Sequence, residues 1–179
     1  MEGLLLLESK IHRDSRGFFL ESYREDVARS CGIVLPMVQT NRSFSKARVL
    51  RGLHFQNPTP QGKFVSVSYG SVFDVAVDIR PESSTYRQWF GETLTHENGL
   101  HLWIPPGFAH GFLALTDAVL TYQVTAYYNP EGDSAIRWDD PELKVEWPID
   151  DPILSEKDLA APALSSLAEA KLSWHMAGL

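Results

Sequence analysis

"FVSVSYGSVFDVAVDI", residues 64–79, decides the class of fold. Its second half alternates: Phe73, Val75, Val77 and Ile79 share one face of an extended chain, and Asp74, Ala76 and Asp78 share the other. Further strand candidates flank it on both sides: "GFFLESY" (17–23), "VLRGLHF" (49–55), "WFGETL" (89–94), "LHLWIP" (100–105), "GFLAL" (111–115) and "VLTYQVTAYY" (119–128). Gly, Pro and Asn punctuate them, as in "NPTPQG", "HENG" and "PPG". Many short strands with little helix between them imply antiparallel pairing in a sandwich or barrel. Only "REDVARSCG" (24–32) and "LSEKDLAAPALSSLAEAKL" (154–172) read as helical. No repeat, low-complexity tract or linker interrupts the chain. The expectation is one β-rich domain over residues 1–179, with a helical tail from about 155 to 179.

The totals narrow the function. At 179 residues the chain fits one domain comfortably, and its 44% hydrophobic and 22% charged residues are ordinary for a globular protein. No run approaches the roughly 18 apolar residues of a membrane helix. The four leucines of "MEGLLLLESK" fall short of a signal-peptide core of about 7–15 residues. A lone Cys31 excludes an internal disulfide framework, which suits a reducing cytoplasm. A net charge of −7 argues against a general nucleic-acid surface, although a local Arg and Lys cluster could still hold an anionic small molecule.

The chemistry concentrates in "VLRGLHFQNPTPQGKFV" (49–65). Residues two apart in a strand share a face, so Gly52, His54 and Gln56 oppose Leu53 and Phe55. The apolar pair packs against protein, leaving His54 to face a cavity or solvent. Arg51 starts on the packed face, and a bulge at Gly52 would bring it round to His54. Lys63 lies just across a loop of two prolines and a glycine. By itself His54 is either a structural histidine or a base. In "IPPGFAHGF" (104–112), Phe108, His110 and Phe112 share a face, and His110 is either a desolvated catalytic group or a satisfied core residue. Tyr122 shares a face with Leu120 and Val124. In "LSEKD" (154–158), Ser155 and Asp158 resemble a helix capping box, which alone would account for Asp158. A metal site is not expected. It needs three or four converging ligands, but the strand offers "HFQ", Lys63 would repel a cation, and His96 and His101 look exposed beside the "ENG" turn.

Taken together, "RGFFLESY", "VLRGLHFQ", "GSVFDVAVDIR", "LWIPPGFAHGF", "YYNP" and "WDDPEL…WP" resemble, in order, the signature segments of the dTDP-4-dehydrorhamnose 3,5-epimerases, over about residues 10 to 165. The resemblance implies a mostly β, cupin-type double-stranded β-sheet barrel (a jelly roll), a homodimer, and no metal or other cofactor. It implies epimerisation of dTDP-4-dehydro-6-deoxy-D-glucose at C3 and C5. His54 would be the base, Asp158 its orienting carboxylate, Tyr122 the acid, and Lys63 and His110 neighbours of the sugar. Arg16, Glu21, Gln39, Asn41, Arg51 and Lys157 would contact nucleotide or diphosphate, and Phe18 and Tyr127 would stack near the base. The segment around residues 16–21 would reach into the partner's pocket. Two departures stand out: "SSTYR" puts Tyr86 and Arg87 where the family has Phe and Gly, and Asp133 (or Glu131) replaces a binding-site Glu. The alternatives are a mono-epimerase of another deoxysugar pathway, a metal-dependent cupin enzyme, and a non-catalytic sugar-nucleotide binding module.

Overall fold

The structure, a computed structural model, describes residues 1–168 and 171–174. The chain opens with β1 (Leu5–Glu8), β2 (His12–Asp14), β3 (Gly17–Phe19), the short helix α1 (Glu25–Ser30) and β4 (Gln39–Ser45). There follow β5 (Leu50–Gln56), β6 (Lys63–Tyr69), β7 (Ser71–Asp78), β8 (Trp89–Thr95), β9 (Leu100–Ile104), β10 (Phe108–Ala114) and β11 (Ala118–Val124). Short β12 (Asp133–Ala135), α2 (Glu156–Leu159) and a 3₁₀ turn at Leu164–Ser166 complete it. Two five-stranded sheets result, ordered β1-β9-β6-β11-β4 and β12-β5-β10-β7-β8, with every strand pair antiparallel. β2 and β3 form a separate hairpin. This is the expected cupin-type jelly roll, and its sheets do not close on each other. Among the described residues no helix is long and apolar enough to cross a membrane.

The stretch 64–79 is two strands that belong to different sheets. The chain turns between them at Gly70, whose φ is +76° and where a Cβ would lie 2.1 Å from the Asp117 carbonyl oxygen. Only glycine fits that corner. Beyond it both faces of β7 are buried. Val72 and Ala76 join Val65, Leu102, Leu120 and Phe112 between the sheets. Val75, Val77 and Ile79 lie on the outer face with Leu53 and Phe55, beneath Ile136, Leu143, Leu164 and Leu172. The C-terminal third therefore serves as the lid of that face, and burying each such aliphatic or aromatic side chain is worth about 1.5–3 kcal/mol.

The tail carries the short helices expected of it. Among the described residues of 154–172, α2 and the 3₁₀ turn are helical and Lys171 is again 3₁₀; residues 169–170 and 175–179 lie outside the described residues. Pro162 cannot continue α2, and the Pro162 carbonyl accepts instead from the Arg137 amide. Alanine-rich propensity yields to the burial of Leu164 and Leu172 against the sheet.

β5 and β10 make a close approach that fixes what the barrel displays inward. Their register runs from His110 opposite His54 to Phe112 opposite Arg51, so β5 carries one extra residue there. The bulge is the expected one. It puts Arg51 on the same side as His54, because Phe112 and His110 already share the inner face. At the bulge Gly52 has φ +125°, and a Cβ on it would sit 2.5 Å from Gly111 Cα. Gly52→Ala should therefore destabilise the fold by about 2–4 kcal/mol through a disfavoured φ plus overpacking. Denaturant unfolding checks this; a loss under 1 kcal/mol would mean the approach is not tight.

Candidate active site

The polar residues of the inner face gather at one end of the barrel, in a cavity of about 430 Å³. His54 stands on β5, in one sheet, while Lys63 on β6 and Tyr122 on β11 stand on the facing sheet. Gln39 and Asn41 enter from β4, Asp133 from β12 and Lys157 from α2. His54 Nε2 lies 2.6 Å from Asp158 Oδ1; the imidazole is about one-third exposed and the carboxylate 4%. Asp158 Oδ2 also accepts from Ser155 Oγ at 2.7 Å, while Ser155 Oγ caps α2 by accepting from the Asp158 amide. Capping and orientation are thus joined in one residue. Burial by itself would raise the Asp158 pKa, but its hydrogen bonds to His54 and Ser155 outweigh that and hold it below the usual carboxylate value. With Nε2 donating to Asp158, His54 Nδ1 is left as the basic nitrogen.

Lys63 is half-buried, and its Nζ donates to the His54 carbonyl oxygen at 3.4 Å. Burial lowers its pKa to about 8, against the opposing pull of Asp74 and Asp133. Burial likewise raises the Tyr122 phenol, against Asn41 and Arg51, which favour the phenolate. His110 is buried outside the cavity lining, with Nε2 3.0 and 3.1 Å from the two oxygens of Asp74. Burial holds it below the ordinary imidazole range in spite of that carboxylate.

Not every expected site residue converges. Arg51 lies on the site's face but outside the cavity lining, bonded to Ser45 Oγ and the Phe44 carbonyl. Tyr127 is 70% exposed, and its neighbour Tyr128 lines the cavity instead, with its hydroxyl donating to Asp133 Oδ2 at 3.2 Å. Asp133 also pairs with Lys157 at 2.5 Å, whereas Glu131 faces solvent. The Arg87 departure packs over Tyr86 and pairs with Glu142, away from the cavity. Arg16, Phe18 and Glu21 lie on or just beyond the exposed β2–β3 hairpin, where Arg16 pairs with Asp14. Within one chain they do not reach His54's cavity lining.

Gln56 and Gln61 also line the cavity, without an assigned role from the sequence. Gln56 bonds the Tyr127 carbonyl and the Asn129 amide, and Gln61 bonds the Ala126 carbonyl, so both tie the β11–β12 loop to the cavity wall. The signal for Gln56 lay in its two-residue spacing from His54. His101, expected to be exposed, is buried outside the sheet on Phe64, between Ser66 and Ser9 hydroxyls. Among the described residues no three His, Cys, Asp or Glu side chains converge as metal ligands would.

Comparison with known proteins agrees with this geometry. The family model described as dTDP-4-dehydrorhamnose 3,5-epimerase matches residues 1–166. The dTDP-4-dehydrorhamnose 3,5-epimerase of Salmonella typhimurium is 50% identical over 165 residues, 90% of each chain. The crystal structure of dTDP-6-deoxy-D-glucose-3,5-epimerase RmlC from Legionella pneumophila, in complex with dTDP-4-keto-L-rhamnose, superposes with a TM-score of 0.93 at 46% identity, covering 96% of this chain and 93% of that one. ChmJ, a 3'-monoepimerase from Streptomyces bikiniensis in complex with dTDP-quinovose, gives 0.88 at 32% identity, over 96% and 88%. Half-identity along nearly the whole length, with the same fold, means that this chain belongs to the dTDP-4-dehydrorhamnose 3,5-epimerase family.

Proposed function

We propose that the whole chain serves as one catalytic domain epimerising dTDP-4-dehydro-6-deoxy-D-glucose at C3 and C5, with His54 as base and Tyr122 as acid. The observation that carries this reading is the 2.6 Å contact of His54 with buried Asp158, on the wall facing Lys63 and Tyr122. A proton beside a ketone is far too weak an acid for imidazole alone, so the enolate oxygen must be stabilised as it forms. Lys63, a point positive charge in a cavity poor in water, gains most as that oxygen becomes negative. His54 Nδ1 takes the proton, and Asp158 fixes the tautomer and stabilises the imidazolium. Inversion requires a proton from the opposite side. Tyr122 stands on the sheet across the cavity, and burial keeps its proton in place until the basic carbon of the enolate draws it off.

Arg51, Lys157, Gln39 and Asn41 would hold the diphosphate and nucleotide, guanidinium and ammonium supplying local positive charge on an acidic protein. The hairpin supports a homodimer in which each arm completes the partner's site. Phe18 and Phe19 are 42% and 65% exposed, an apolar tip flanked by Arg13 and His12. On this reading the enzyme works in the cytoplasm, without a cofactor.

Three outcomes test it. Turnover in deuterated water should place two deuteriums in the sugar; one would mean a mono-epimerase such as its structural relative ChmJ. His54→Asn should lower exchange by about 10²–10⁴-fold while sparing nucleotide binding, and unchanged exchange would remove His54 as base. Tyr122→Phe should slow inversion more than exchange, and equal slowing of both would refute the donor role.

The pH dependence follows from Lys63. Its depressed pKa means that the ammonium is present below about 8 and lost above it, so kcat/KM should fall on an alkaline limb near 8. Lys63→Arg should retain the charge and carry that limb beyond pH 10; a limb still at 8 would assign it to another group.

A further inference from the structure

Asp74 is a charge that the reaction as proposed leaves unused. It has no exposure, and among the described residues its side chain meets one partner, His110 Nε2. A buried carboxylate needs a cation nearby, because a hydrogen bond satisfies its lone pairs without balancing its charge. His110 does not bring one, since burial keeps that ring neutral and makes it only a donor. Of the other two carboxylates of the site, Asp133 is matched by the Lys157 ammonium, and Asp158 is held by Ser155 and by His54, the ring that becomes its cation on taking the substrate's proton. Lys63 is the converse case, a half-buried ammonium whose only hydrogen bond among the described residues is to a backbone carbonyl. The strands bring the two together. Asp74 points inward from β7 beside β10, where His110 stands opposite His54, and Lys63 reaches across the barrel to the His54 carbonyl.

We propose that Asp74 is a positioning residue for the reaction: clamped by His110, it is the fixed counter-charge of the Lys63 ammonium. This deepens the function proposed above and rests on its role for Lys63. The groups facing Lys63 are His54 from β5, Asp74 from β7, His110 from β10, Tyr122 from β11, Asp133 from β12 and Lys157 from α2. Of these only the two aspartates favour its charge, and Asp133 shares its own with Lys157. Asp74 has no exposure, so bulk solvent does not screen its charge.

Asp74→Asn is nearly isosteric and still accepts from His110, so it removes the charge and keeps the clamp. The experiment follows Lys63 directly, by carbon NMR titration of the reductively methylated enzyme without substrate, assigned by Lys63→Arg. The Lys63 titration should move down by about one unit or more, a tenfold loss of ammonium at any pH above the midpoint. The alkaline limb of kcat/KM should follow it, with activity recovering as pH is lowered. Asp74→Glu, which restores the charge, should return both toward about 8. An unmoved Lys63 titration in Asp74→Asn, or a fall as large in Asp74→Glu, would overturn the proposal. A Lys63 midpoint that moves while the kinetic limb stays would support the counter-charge and refute the catalytic role given to Lys63.

Discussion

Asp158 is almost sealed from water, and a carboxylate so placed stays ionised only if its surroundings hold it there. The Ser155 hydroxyl and His54 do so from two sides, and the second contact joins the tail to the barrel. Everything chemical in the site depends on that junction. It selects Nε2 of His54 as the tied nitrogen, hence Nδ1 as the free one, and it makes the C-terminal segment part of the active site rather than an appendage. The same tail covers the outer face of β7 and β5 with Leu164 and Leu172. Losing the packing of the tail and losing the orientation of the base are therefore coupled events.

The two sheets divide the chemistry between them. One carries His54, the proposed base, and the other carries Lys63 and Tyr122, the proposed ammonium and acid. The cavity is the gap at the end of the barrel where the interior turns from Val and Leu to polar side chains. Facing walls are what an inversion needs, since proton removal and return must happen on opposite sides of one carbon. The Gly52–Gly111 approach is the geometric condition for this. It lets β5 lie close against β10, and its bulge turns Arg51 to the same side as His54. A side chain at either glycine would push the base's strand away from the strand that carries His110.

Much of this was legible in the residues. Alternation around Leu53, His54 and Phe55 assigned the faces correctly because a strand's period of two is rigid, and the oddity of Arg51 pointed to the bulge. The short helices of the tail were legible in its Ala and Leu, while Pro162 and the burial of Leu164 set where they stop. His101 misled because its turn is exposed although its strand lies beneath the N-terminal segment, contacts that only the three-dimensional packing supplies. The β11–β12 loop was the hardest to place. Tyr127 and Tyr128 are adjacent aromatics, and which of them turns inward is set by Gln56, whose amide grips the backbone on either side.

The pocket also explains how a chain of net charge −7 can host a sugar diphosphate. At rest its cations are matched: Lys157 by Asp133, and on the proposed account Lys63 by Asp74. A neutral pocket costs less to bury than an unbalanced one, and on the proposed reading it need not repel an anion whose phosphates would find partners in Arg51 and Lys157. The two pairs differ in one respect that matters. Lys157–Asp133 sits at the rim, is partly exposed, and can be exchanged for a phosphate contact at small cost. Asp74 lies behind the cavity and cannot move toward the substrate. The rim pair is thus suited to yield on binding, and the inner charge to remain constant while the substrate's oxygen gains and loses its own.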